Sequence, residues 1–79
     1  MNKNQTKKLE KVKDDIEYMF AGQLWRYHVT PYEVRRIIDV YNKLVQGTPA
    51  ETMFHGVKDY FIRRKFTVTE KGTGWQISL

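Results

Sequence analysis

Apolar residues recur at two different periods along this chain, and the change of period marks its elements. From Thr6 to Phe20, Leu9, Val12, Ile16, Met19 and Phe20 follow one another mostly at three- and four-residue steps. That spacing predicts an amphipathic helix with those five side chains inward, Thr6 as its cap and Ala21-Gly22 as its stop. From Pro31, Val34, Ile37, Ile38, Tyr41, Leu44 and Val45 form a second stripe at helical period, and Gly47 is placed as a left-handed cap. A third helix is predicted from Pro49, burying Met53, Phe54, Val57, Tyr60 and Phe61. It ends near Lys65, where three consecutive cations suit the negative end of the helix.

Elsewhere the period falls to two. Phe66-Thr67-Val68-Thr69 alternates, as does Trp75-Gln76-Ile77-Ser78-Leu79, and Glu70-Lys71-Gly72-Thr73-Gly74 lies between them. The pattern predicts a β-hairpin with Phe66, Val68, Trp75, Ile77 and Leu79 facing the core. A lone hairpin is marginal in water, so it needs a helix layer or a third strand. The segment 24–29, where Trp25, Tyr27 and Val29 alternate with Arg26 and His28, is the candidate for that strand.

One local signal occurs twice. Thr30-Pro31-Tyr32-Glu33 and Thr48-Pro49-Ala50-Glu51 are both T-P-x-E. Thr can accept from a free N–H of the first turn, Pro suits the first helical position, and Glu can reach back to the cap N–H. Both segments are therefore expected to open helices. That assigns Glu33 and Glu51 to capping and makes them poor candidates for catalytic acids.

At 79 residues the chain has room for one domain, 1–79, with an α+β architecture of three helices and a C-terminal hairpin. The apolar share of 41% argues against disorder. No apolar run approaches the ~20 residues of a membrane span, and no apolar stretch follows the N-terminus, so a cytoplasmic protein without a secretory signal is expected. Without Cys there are no disulfides and no thiolate chemistry, and His28 and His55 alone are too few for a metal site. Asp14 and Asp15 diverge by about 100° on a helix and do not form a paired-carboxylate site. Ser78, the sole serine, has no neighbouring base in sequence. Gly72-Thr73-Gly74 is followed by no helix and reads as hairpin turn chemistry rather than a phosphate loop. No cofactor, metal or small-molecule substrate is expected, and the chain does not read as an enzyme.

Charge changes the picture. Fourteen Lys and Arg stand against nine Asp and Glu, a formal +5. Residues 1–13 carry Lys3, Lys7, Lys8, Lys11 and Lys13 against Glu10 alone. Residues 58–71 carry Lys58, Arg63, Arg64, Lys65 and Lys71 against Asp59 and Glu70, and the middle is mildly acidic. Basic clusters attract phosphates and acidic protein surfaces alike. A Lys-rich helix face also serves plain solubility, which explains the first cluster equally well. Trp75 suits core packing, whereas Trp25 suits either core packing or stacking on a nucleic-acid base.

The order of helices and strands, with the run from Tyr60 through Arg63-Arg64-Lys65, Lys71-Gly72-Thr73-Gly74 and Trp75 to Leu79, resembles the winged-helix family of helix-turn-helix proteins. The resemblance covers nearly the whole chain and implies a third helix in a DNA major groove with the hairpin wing against the backbone. The outer face of that helix would be Thr52, His55, Gly56, Asp59, Ile62 and Arg63, and it departs from the family pattern. Asp59 repels phosphate, and only His55 and Thr52 are left to read bases. Arg35, Arg36, Lys58, Arg63, Arg64, Lys65 and Lys71 are the expected phosphate contacts.

The expected function is thus a small non-enzymatic module that binds duplex DNA, a regulator or phage-type accessory such as an excisionase. The alternative is an inhibitor that grips a nucleic-acid-handling enzyme, with Ile62 as its anchor. On that reading the chain resembles phage anti-defence proteins, anti-CRISPR proteins among them.

Overall fold

The computed structural model describes residues 1–79 and has an α+β fold of four helices and a three-stranded antiparallel sheet. Helix α1 spans Lys3–Phe20, α2 Leu24–Tyr27, α3 Pro31–Val45 and α4 His55–Arg63. Strand β1 is Ala50–Thr52, β2 Thr67–Lys71 and β3 Gly74–Ser78. The sheet order is β1-β3-β2, so the C-terminal hairpin is extended by a strand that precedes α4.

The helical stripes fold as their spacing dictates, with local differences. In α1, Leu9, Val12 and Met19 are buried, but Phe20 turns outward and is 72% exposed. The helix starts earlier than Thr6 because Asn2 and Gln5 form a reciprocal capping box. In α3, Val34, Ile37, Val40 and Leu44 are buried, Ile38 and Tyr41 flank them, and Val45 is exposed. Thr30 caps α3 as expected: its Oγ1 accepts from Glu33 N–H, and the Glu33 carboxylate accepts from Thr30 N–H.

The second T-P-x-E does not open a helix. Gly47, at φ 81°, closes α3 with Gly47 N–H donating to Leu44 O and Thr48 N–H to Lys43 O. The chain then leaves as β1, and α4 begins only at His55, with no side-chain cap. The reason is tertiary. Strand β3 has partners on both sides, Ala50 opposite Ile77 and Thr52 opposite Trp75, and both β1 residues become buried. A three-residue ladder and two buried side chains outweigh a cap worth about 1 kcal/mol.

The third strand is therefore Ala50–Thr52, and the expected strand at 24–29 is instead the single-turn helix α2. Leu24 and Tyr27, three residues apart, pack against the core, while Trp25 is 69% exposed. Of the three side chains that alternation turns inward, Tyr27 packs on the core and Val29 is buried in it, while Trp25 gives way to Leu24.

Across β1-β3-β2, Ala50, Ile77 and Val68 align on the inner face. Phe61 sits at the centre, completely buried, with its ring edge-on to Tyr60 and to Phe66 at 5.2 Å. Met53, expected inside, is exposed, as is Phe54 at its margin. Trp75 is half-buried at the sheet surface, under His55 at 4.6 Å and the Lys58 ammonium at 4.5 Å. The hairpin turn is only Gly72-Thr73, and Gly72 supplies its positive φ.

Candidate functional site

Asp15 organises the site. It stands three residues after Val12 and four before Met19, so helix geometry carries it into the α1 core stripe. A buried carboxylate needs partners, and it has three. Its Oδ1 accepts from Tyr27 OH at 3.2 Å. Its Oδ2 accepts from Tyr60 OH and from Arg64 Nε, both at 2.6 Å, with Arg64 Nη2 completing the ion pair. Every buried side-chain nitrogen and oxygen has a hydrogen-bond partner. Burial, then the bond to Asp15, pushes the Tyr60 hydroxyl well above its ordinary pKa, and Tyr27 is raised in the same direction by the same causes.

This cluster ties the middle of α1 to the C-terminal end of α4. The end of α4 is finished by Lys65 in the left-handed region at φ 68°. Lys65 N–H donates to Ile62 O and Phe66 N–H to Phe61 O. The Lys8 ammonium donates to the Lys65 carbonyl at 2.6 Å and also lies 5.6 Å from the Phe66 ring centre. The two basic segments thereby become neighbours through residues 57 apart in sequence.

Between them lies a groove of about 300 Å³ lined by Lys7, Lys8, Lys11, Arg63, Arg64 and Lys65. No acidic side chain lines it. Arg64 is matched by Asp15, which leaves five cations without an acidic partner. A second concavity, about 210 Å³, continues past Arg63 and Arg64 to Arg26, Tyr27 and Tyr60. By contrast, the groove between α3 and β1 mixes Arg36 and Lys43 with Asp39 and Glu51 and carries no single-sign field.

The other sequence-predicted residues scatter. Arg35 is exposed on α3 beside Tyr32. Arg36 pairs with Asp39 at 3.7 Å and covers Phe54, and Lys71 pairs with Glu51 at 3.2 Å. Lys58 sits between Asp59 and the Trp75 ring. Thr52 is not on a helix face: it is 4% exposed in β1, and its Oγ1 accepts from Phe54 N–H. His55 is the first residue of α4 and lies on Trp75. Gly56 is not free outer surface either, because a Cβ there would fall 1.7 Å from a Glu33 carboxylate oxygen. Ile62 remains exposed on α4, at 49%. Of the expected phosphate contacts, only Arg63, Arg64 and Lys65 come together in the groove.

Their groove partners Lys7, Lys8 and Lys11 belong to the cluster that solubility explained equally well. One signal in the sequence pointed to the connection: an Asp at a position of the α1 apolar stripe requires a basic or hydroxyl partner from elsewhere. No three His, Cys, Asp or Glu side chains converge as metal ligands do, and no helix is long and apolar enough to cross a membrane. Comparison with protein-family models, curated proteins and solved structures finds no match.

Proposed function

We propose that this chain is a non-enzymatic nucleic-acid-binding module that holds a phosphate backbone in the groove between α1 and the end of α4. The observation that carries this reading is the meeting of the two basic segments around one concavity with no acid in its lining. Phosphates suit such a surface because each one neutralised releases counterions, a term that needs no base contact. The Asp15 cluster fixes Arg64 and, through α4, the neighbouring Arg63 and Lys65, so the cations are presented by a braced frame. The hairpin that follows α4 supports a winged-helix likeness. The nine-residue connection 46–54, which contains β1, departs from a tight helix-turn-helix. The test is retention on nucleic acid in low salt by the parent and by Lys7→Glu/Lys11→Glu. The charge reversals should abolish retention, and unchanged retention would sink the reading.

The exposure of Ile62 beside Asp59 and Arg63 favours a second reading, an inhibitor docking on a nucleic-acid-handling protein. An exposed apolar side chain gains affinity when a partner's pocket buries it away from water. On that reading Ile62→Asp abolishes capture of the partner and leaves nucleic-acid retention unchanged.

A further inference from the structure

Trp25 is the most conspicuous side chain that the fold leaves unused. It is 69% exposed on α2, a single turn with no buried residue. An indole contributes much to a core when buried, and here it contributes nothing to one. Its neighbour Arg26 does two things at once. The Arg26 guanidinium lies 5.7 Å from the Trp25 ring centre, and the same side chain lines the concavity with Tyr27, Tyr60, Arg63 and Arg64. That concavity shares Arg63 and Arg64 with the six-cation groove. Arg63 spans the join, its Nη2 donating to the Tyr27 carbonyl at 3.4 Å. The result is one basic track, from Lys7 and Lys11 on α1 past Arg63 to Arg26, with an exposed aromatic ring at its far end.

We infer that this track takes a single-stranded nucleic acid, with the backbone along the cations and one base stacked on Trp25. The inference rests on the proposed backbone-binding reading and specifies its ligand. Three features favour a single strand over a duplex. The cations lie in a shallow depression and on no element that could enter a duplex groove to read base edges, so they offer backbone contact alone. The exposed face of α4 carries Asp59 and Ile62, and the one mid-helix cation, Lys58, lies over the Trp75 ring. A ring can stack only on a base that is not already stacked within a duplex, and Arg26 beside the indole adds a cation to that platform.

The experiment uses the intact chain and fluorescence polarisation of three labelled probes at one salt concentration: an oligo-thymidylate of about 12 nucleotides, an oligo-uridylate of the same length, and a duplex of the same length. Both single strands should bind more tightly than the duplex. Trp25→Ala should weaken single-strand binding roughly 5- to 150-fold, the range of one lost base–aromatic stack, and leave duplex binding unchanged. Trp25→Phe should recover part of the loss. Because the Trp25 ring is exposed and packs on no core residue, the melting curve of Trp25→Ala should match the parent's and exclude unfolding as the cause. Tighter binding of the duplex, or single-strand binding indifferent to Trp25→Ala, overturns the inference while leaving backbone binding in place. Failure of the broader reading looks different: no probe then responds to Lys7→Glu/Lys11→Glu.

Discussion

Asp15 in α1 and Arg64 at the end of α4 are 49 residues apart in sequence, and both Nε and Nη2 of the guanidinium converge on one carboxylate oxygen, Oδ2. The same oxygen takes the Tyr60 hydroxyl. Asp15→Asn keeps the volume and removes the charge, leaving the Arg64 guanidinium and the Tyr60 hydroxyl to compete for a neutral carbonyl. Arg64 is partly exposed and can turn to water, which tempers the loss. The expected cost is about 3 kcal/mol, read from the urea midpoint, and it is a large fraction of the stability of a domain this small. A midpoint within experimental error of the parent's would mean that the cluster does not brace α1 against α4.

Alkali should unfold the protein through Tyr60. Burial and the bond to Asp15 raise its pKa in the folded state above the ordinary value near 10. Above pH 10 the unfolded chain loses this proton while the folded chain keeps it. The unfolded state then binds fewer protons, and stability falls as pH rises. The contribution is complete below about pH 10 and decays above it, and Tyr27 acts in the same direction. Tyr60→Phe keeps the ring and discards the titration. It should be less stable at neutral pH by about 2 kcal/mol and show a flatter decline between pH 10 and 12, followed by circular dichroism.

Lys65 sets stability against binding. It occupies the left-handed region at φ 68°, where a residue with a Cβ is strained by about 1 kcal/mol relative to glycine, and it supplies one cation to the groove. Its carbonyl, which Lys8 grips, survives any substitution. Lys65→Gly should therefore raise the urea midpoint while weakening binding of a labelled oligonucleotide. A variant that gains affinity, or loses stability, would contradict the assignment of Lys65 to both roles.

The sequence was most legible where elements depend on their own residues. Thr30 with Glu33, helix α3 and the C-terminal hairpin form where their local patterns place them, although Val40 and not Val45 completes the buried stripe of α3. It was least legible where a partner from far away decides. Thr48-Pro49-Ala50-Glu51 carries the same cap signal as Thr30-Pro31-Tyr32-Glu33 and becomes a strand because β3 needs a second neighbour. The groove is divided in the same way. Arg63, Arg64 and Lys65 were evident as a cluster, but their partners on α1 are brought in by Asp15, whose contacts span 12 to 49 residues.

The contrast between the two T-P-x-E segments has a direct test. Thr30→Ala removes an acceptor from Glu33 N–H and should cost about 1 kcal/mol. Thr48 caps nothing, is exposed, and only donates its backbone N–H to Lys43 O, which Ala preserves. Thr48→Ala should shift the thermal midpoint by no more than a surface substitution does, within about 0.5 kcal/mol. Equal losses at the two positions would mean that Thr48 starts a helix after all.

Salt should report how many cations the groove commits. Lys7, Lys8, Lys11, Arg63 and Lys65 line it without an acidic partner, and Arg64 is already matched by Asp15. Five phosphate contacts on a single strand give a log–log slope of affinity against salt near −3.5, from roughly −0.7 per contact; on a duplex the same five give about −4.5. Lys7→Gln/Lys11→Gln should flatten the single-strand slope by about 1.4 and weaken all sequences alike, since phosphates carry no base identity. Arg35→Gln and Lys71→Gln are the controls. Arg35 lies on α3 beside Tyr32, and Lys71 already has Glu51 at 3.2 Å, so neither lines the groove. Their slopes should equal the parent's. If instead the controls flatten the slope and the α1 pair does not, the phosphates run along the wing and α3, and the groove between α1 and α4 is not the binding surface.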